Sequence, residues 1–166
     1  TLLARVIDRL EPQVADLALN ANGDPARFQD NNRPVLADSI AGFPGPLAGV
    51  LAGLDWAATK GASHIVTAAG DTPFFPCDLV PQLLLAAEIA GAEIALASSP
   101  GGRQPTFGLW PVALRDDLRA ELEGGLRKVV QWSDKHGGQV AEFAASGAPF
   151  FNVNTPDDLK QAEEML

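Results

Sequence analysis

Cysteine occurs once, at Cys77, so the chain can close no intrachain disulfide and assemble no cysteine-cluster zinc site. That scarcity fits a reducing compartment. Positive charge is scarce as well, with twelve Lys and Arg scattered along a chain whose net charge is -9. Phosphate backbones demand clustered positive charge, so a nucleic-acid surface is not expected. A small anionic ligand stays compatible if local donors and a cation neutralise it. Long apolar runs are missing too: no stretch approaches the length of a membrane span, and no basic-then-apolar signal segment opens the sequence. The expectation is a soluble, cytoplasmic protein with neither a nucleic-acid nor a membrane partner.

What is present suits one well-buried core. With 166 residues, 46% hydrophobic and 20% charged, residues 1–166 are expected to form a single domain. Leu2, Leu3, Val6, Ile7 and Leu10 repeat at helical spacing until Pro12 ends the pattern, so the chain begins inside a helix. Val14 to Leu19 and Pro34 to Leu36 read as strands. A Gly/Pro loop from Gly42 to Pro46 precedes a helix carrying Leu47, Val50, Leu51, Leu54 and Trp56. Ser63 to Ala69 is a short apolar run of the buried-strand kind, followed by a helix over Asp78 to Ala90 and a strand over Ala92 to Ala97.

Further on, Ser98 to Pro105 reads as a loop, Thr106 to Trp110 as a strand, and Val112 to Glu123 and Lys128 to Lys135 as helices. Gln139 to Phe143 and Phe150 to Val153 read as strands. The last helix opens at Thr155-Pro156-Asp157-Asp158, with a capping threonine, a proline at the first helical position and acids in the first turn. Strands alternating with helices predict an α/β fold, a mostly parallel sheet with helices on both faces.

Open sheets of this class bind ligands beyond the carboxyl ends of their strands. Three loops fall there: Asn20 to Asp24, Asp38 to Gly49, and Gly70 to Pro73. Asp71 stops the Ser63 to Ala69 run just past a glycine, which is the place of a metal ligand and equally that of an Asx-type turn before Pro73. Gly45-Pro46-Leu47-Ala48-Gly49 lets backbone approach a ligand while a helix N-terminus offers free N–H groups, or makes a tight strand-to-helix turn. Asn20, Asn22, Asn152 and Asn154 suit ligand contacts or local turn and cap bonds.

Taken together, Asn20-Ala21-Asn22, Asp38-Ser39, the run from Gly45 to Leu54, Gly70-Asp71-Thr72-Pro73-Phe74, Pro105 to Trp110 and Asn152-Val153-Asn154-Thr155-Pro156 resemble the MobA family of molybdenum cofactor guanylyltransferases. The similarity runs in order over nearly the whole chain. It implies a single nucleotidyltransferase domain with a Rossmann-like sheet, and a reaction that moves GMP from GTP to the terminal phosphate of molybdopterin and releases pyrophosphate. It puts Asn20 and Asp38 on the nucleotide, has Gly45, Pro46, Leu47 and Gly49 border the guanosine, and gives Asp71 a magnesium ion (Mg2+) bridging the phosphates. Arg127 and Lys128 would lie beside the pterin phosphate, although Leu126 replaces the family's acid there. Asn152 and Asn154 match two asparagines near molybdopterin, and Gln104 stands where the family usually has histidine.

Such families begin with a strand, a glycine-rich phosphate loop and a lysine. The resemblance therefore implies those parts ahead of Thr1 in a longer natural protein. The near alternatives are a cytidylyl- or sugar-phosphate nucleotidyltransferase of the same fold. A different class of reading is a non-catalytic pterin carrier that delivers cofactor to a molybdoenzyme, with that enzyme or other cofactor-biosynthesis proteins as further partners.

Overall fold

Thr1 caps the first helix, α1 (Leu2–Leu10), by accepting a hydrogen bond from the Ala4 N–H at 3.1 Å, and Val6 and Ile7 are its buried residues. The computed structural model describes residues 1–42, 45–144 and 146–166. Phe43 and Pro44, in the expected Gly/Pro loop, lie outside the described residues. After α1 come β1 (Leu19–Asn20), β2 (Val35–Leu36), α2 (Pro46–Thr59), β3 (His64–Thr67), α3 (Leu79–Ala90), β4 (Ala95–Ser99) and β5 (Gly102–Pro111). The chain then runs through α4 (Arg115–Glu123), α5 (Val129–Lys135), β6 (Gln139–Glu142) and α6 (Pro156–Glu164).

Among the described residues, β1 and β2 form a parallel pair, and the other strands form a sheet in the order β3-β5-β4-β6. β5 runs against β3 and β4, while β4 and β6 are parallel, so β3, β4 and β6 all point the same way. The sheet is therefore mixed, with β5 as the reversed strand. Helices cover both faces. On one face Val6 of α1 and Leu79, Leu83 and Ala87 of α3 pack on Ala95, Ala97, Phe107 and Leu109. On the other, Leu47, Val50, Leu51 and Leu54 of α2, Leu118 and Leu122 of α4, and Val129 and Trp132 of α5 pack on Leu96 and Trp110.

Three expected elements differ. Val14 to Leu19 is a strand only at its end, because a 3-10 turn over Glu11–Gln13 precedes it and the ladder to β2 covers Leu19 and Asn20 alone. Ser98 to Pro105, read as a loop from its Ser, Gly and Pro content, is mostly ladder: Ser99 pairs with Gly102, Ser98 with Arg103 and Ala97 with Gln104. Gly102 supplies the φ of +114° that this tight reversal needs. Phe150 to Val153 joins no ladder among the described residues: Phe150 lies in a turn, with the Phe151 N–H on the Ala148 carbonyl at 3.1 Å, and the Val153 N–H donates to the Asp71 carbonyl at 2.8 Å.

Gly108, on β5, lies against the Trp110 ring two positions on. Trp110 and Trp132 stack with centroids 5.6 Å apart, and the Trp110 Nε1 donates to the Thr67 Oγ1 at 2.9 Å. A Cβ added at Gly108 would lie 2.5 Å from Trp110 Cζ2 and 3.0 Å from Leu96 Cδ2, so the ring could not keep its place. Gly108→Ala is expected to destabilise by about 1–3 kcal/mol, as overpacking of a filled core does. Urea unfolding checks this: the midpoint should fall with an unchanged m value.

Candidate functional site

The loops at the carboxyl ends of β1 and β2 are joined by side chains. Asn20 Nδ2 donates to Asp38 Oδ1 at 3.0 Å and to the Leu36 carbonyl at 3.1 Å. Asn22 Nδ2 donates to Asp38 Oδ2 at 2.9 Å, and Asn22 Oδ1 accepts from the Asp38 N–H at 2.9 Å. Both oxygens of Asp38 thus have a fixed donor. A carboxylate only accepts when ionised, so its free lone pairs are set to receive further N–H or O–H groups. The neighbouring Ser39 donates to Asp55 Oδ2 at 2.6 Å, and Arg119 Nη2 reaches both Asp55 oxygens at 2.8 Å, which fastens this loop to α2 and α4.

Helix α2 begins beside the same residues. Gly45 caps it with a φ of +97°, in the region that favours glycine, and Pro46 takes the first helical position. Leu47 is buried in the core, so only its backbone is available to a ligand. Gly49 is glycine for a steric reason: a Cβ there would lie 2.3 Å from Asn20 Oδ1. The Asn20 side chain therefore lies against the first turn of α2. A Cβ on Gly45 would be 3.9 Å from the Arg127 carbonyl, which places the Arg127 backbone next to the helix start. The Arg127 guanidinium turns back to donate to the Leu122 and Leu126 carbonyls at 3.0 and 2.7 Å. Lys128 is exposed and opens α5.

A second group of residues forms beyond β3. Asp71 is half-buried and the following Thr72 is fully buried. Thr72 Oγ1 lies 3.0 Å from Asp71 Oδ1 and 2.6 Å from Asn152 Oδ1. With the Val153 N–H on the Asp71 carbonyl, this binds the loop after β3 to the segment before α6. Asn154 and Thr155 direct their backbone N–H groups to Asp158 Oδ2 at 3.0 and 2.9 Å, and Thr155 accepts from the Asp158 N–H, completing a capping box. The Asn154 N–H, followed by contacts from Thr155, holds the Asp158 carboxyl below the usual carboxylate range. The Asn154 side chain is exposed and makes no hydrogen bond among the described residues.

Asn20 and Asp38 are thus in direct contact, Gly49 touches Asn20, and Asp71 and Asn152 meet through Thr72; no hydrogen bond among the described residues joins the first group to the second. Gln104 lies apart, with its Nε2 3.4 Å from Ser99 Oγ. Asn22, which the sequence offers as a ligand contact or a turn residue, holds Asp38 here. Thr72 carries no candidate role in the sequence; it stands inside Gly-Asp-Thr-Pro, so its signal is the motif rather than its most conspicuous member. No group of three or more His, Cys, Asp or Glu able to hold a metal exists among the described residues. A lone, half-buried carboxylate with a free oxygen still fits a cation bound mainly by substrate phosphates and water, as magnesium often is. No helix among the described residues is long and apolar enough to cross a membrane.

A layered α/β sheet with an acid just past one strand and a glycine-capped helix beside it has the architecture of a nucleotidyltransferase domain. The description "MobA-like NTP transferase domain" matches residues 1–139, and the chain belongs to that family. It is 49% identical over 172 residues to a molybdenum cofactor guanylyltransferase of Mesorhizobium japonicum, covering 100% of this chain and 83% of that protein. A protein of the same name from Rhodopseudomonas palustris (strain HaA2) is 52% identical over 167 residues, covering 98% and 78%. The crystal structure of molybdopterin-guanine dinucleotide biosynthesis protein A from Archaeoglobus fulgidus shares the fold, with a TM-score of 0.70 and 22% identity over 99% of this chain and 85% of that one.

Proposed function

We propose that this chain is a molybdenum cofactor guanylyltransferase, transferring GMP from GTP to the terminal phosphate of molybdopterin. The observation that carries this reading is the identity of about half, over essentially the whole chain, with relatives of that name. The chemistry asks little of the protein. A phosphate monoester is largely a dianion at pH 7, its second pKa being about 6, so the nucleophile needs no general base. A molybdopterin phosphate oxygen forms a bond to the α-phosphorus of GTP. The bond from that phosphorus to the bridging oxygen breaks, and its electron pair leaves with pyrophosphate.

Positioning and charge neutralisation then do the rest. Asp38, gripped by Asn20 and Asn22, would accept from the nucleoside. The backbone from Gly45 through Pro46 and Leu47 to Gly49 would border the base, and Asp71 would hold a divalent cation, Mg2+, which when bound offsets charge on the phosphates. Asn152 and Asn154 would lie near the bound molybdopterin, with Lys128 and Arg127 beside its phosphate, Arg127 also bracing the loop between α4 and α5. A cytoplasmic setting accords with GTP as donor and with the lone Cys77.

The test is transfer from α-labelled GTP with Mg2+ and molybdenum-loaded molybdopterin, using the full-length natural protein. Label should enter a guanine dinucleotide with release of one pyrophosphate for each, and CTP should serve poorly. Preferential use of CTP would support a cytidylyltransferase instead. Pterin binding without transfer from any nucleotide would support a carrier.

A further inference from the structure

Thr72 has one hydroxyl hydrogen for two neighbours, and the orientation of the Asn152 amide decides how it is used: with Oδ1 inward the amide competes for the hydrogen, and with Nδ2 inward it donates to the Thr72 oxygen instead. The Thr72 side chain is fully buried, and its single hydroxyl hydrogen faces two acceptors: Asp71 Oδ1 at 3.0 Å and Asn152 Oδ1 at 2.6 Å. A hydroxyl donates one hydrogen bond, so the two contacts exclude each other at any moment. Which acceptor wins depends on charge, because a bond to an ionised carboxylate is stronger than one to a neutral amide.

We infer that Thr72 is a positioning residue that couples the two substrate subsites, passing its one donor from Asp71 to Asn152 when a cation neutralises Asp71. This rests on the reading of Asp71 as the cation's carboxylate and of Asn152 as a pterin contact. With Asp71 bare, its charge draws the hydroxyl hydrogen and the Asn152 amide turns to donate Nδ2 to the Thr72 oxygen; the 2.6 Å contact to Asn152 Oδ1, shorter than the 3.0 Å to Asp71, is the geometry of the other arrangement. With the charge on Asp71 met by a cation, the hydrogen goes to Asn152 Oδ1. That fixes the amide with Nδ2 outward, and Nδ2 has no partner among the described residues. An outward amide N–H is a donor aimed at an anion such as a phosphate. Binding of nucleotide and cation should therefore raise affinity for the pterin, and by linkage the pterin should raise affinity for them equally.

The experiment measures binding rather than turnover. Molybdopterin is titrated calorimetrically into protein with and without Mg2+ and the α,β-methylene analogue of GTP. The native protein should bind the pterin about tenfold more tightly when both are present. Thr72→Val keeps the buried shape without the hydroxyl and should erase that gain, while Thr72→Ser should restore it. Where Thr72→Val folds poorly, Asn152→Ala gives a second reading: the Mg2+ concentration needed for analogue binding should become insensitive to pterin. An undiminished gain in Thr72→Val or Asn152→Ala overturns the coupling, and so does its absence in the native protein. If Asp71→Asn also leaves both transfer and Mg2+ dependence intact, the assignment of Asp71 falls and the coupling falls with it. If only the Thr72 variants behave as native, the proposed activity stands and the coupling alone is wrong.

Discussion

Asp71→Asn should lower guanylate transfer by about a hundredfold or more while the protein remains folded. The substitution keeps size and shape, and an amide oxygen can still accept from the Thr72 hydroxyl that lies 3.0 Å away. The bond from the Val153 N–H to the residue 71 carbonyl uses backbone only and is untouched. What disappears is the negative charge, and a cation held as proposed, by this carboxylate plus substrate phosphates, would lose that charged ligand. The loss should therefore be deepest at limiting Mg2+ and partly recover at high Mg2+. Steady-state rates across a Mg2+ series, alongside thermal unfolding, check both halves. Near-normal turnover at limiting Mg2+ would reduce Asp71 to a turn residue.

The parts of the fold that could be read from sequence are those whose signals are local. The last helix announces itself through Thr155, Pro156 and Asp158, and the structure shows a full capping box there. The first helix follows from the spacing of its apolar residues, and α2 from a long apolar stretch after a glycine and a proline. Misreadings arose where the pattern depended on distant partners. Ser98 to Pro105 has turn composition, yet only Pro100 and Gly101 turn, because the neighbouring Arg103 and Gln104 find ladder partners in β4. Phe150 to Val153 has strand composition and no strand to pair with, since its backbone serves the Asp71 loop.

The site divides in the same way. Asp71 and the Gly45 to Gly49 turn stand out because a carboxylate after a buried strand and a glycine before a helix are conspicuous in one dimension. Contacts between loops are not. Nothing in the spacing of Asn20 and Asp38 says that the amide of one grips the carboxylate of the other, or that Gly49 is small to admit that amide. The buried hydroxyl of Thr72 is silent for a similar reason: it matters through Asn152, which is 80 positions away along the chain.

Asp38→Ala should cut GTP affinity by about tenfold to a hundredfold and leave molybdopterin affinity nearly unchanged, whereas Asn154→Ala should do the reverse. The substitution should remove the proposed contact with the nucleoside; it also takes one acceptor from Asn20 Nδ2, which keeps the Leu36 carbonyl, and leaves Asn22 Nδ2 without its partner. The damage is compounded but stays within the β1, β2 and α2 end of the site, and no hydrogen bond among the described residues carries it to the Asp71 and Asn152 end. Gly49→Ala approaches the same residues from behind: its new methyl group would collide with Asn20 Oδ1 and push that amide off Asp38, so it should weaken GTP selectively with the Asp38 carboxylate still present. Asn154 lies on the other side of this divide. Its backbone N–H is fixed by Asp158 and its side chain is free, so removing the amide should cost a pterin contact and little stability. Calorimetric titration of each variant with each ligand separates the cases. Equal losses for both ligands in every variant would show that these residues act through the fold rather than through separate subsites.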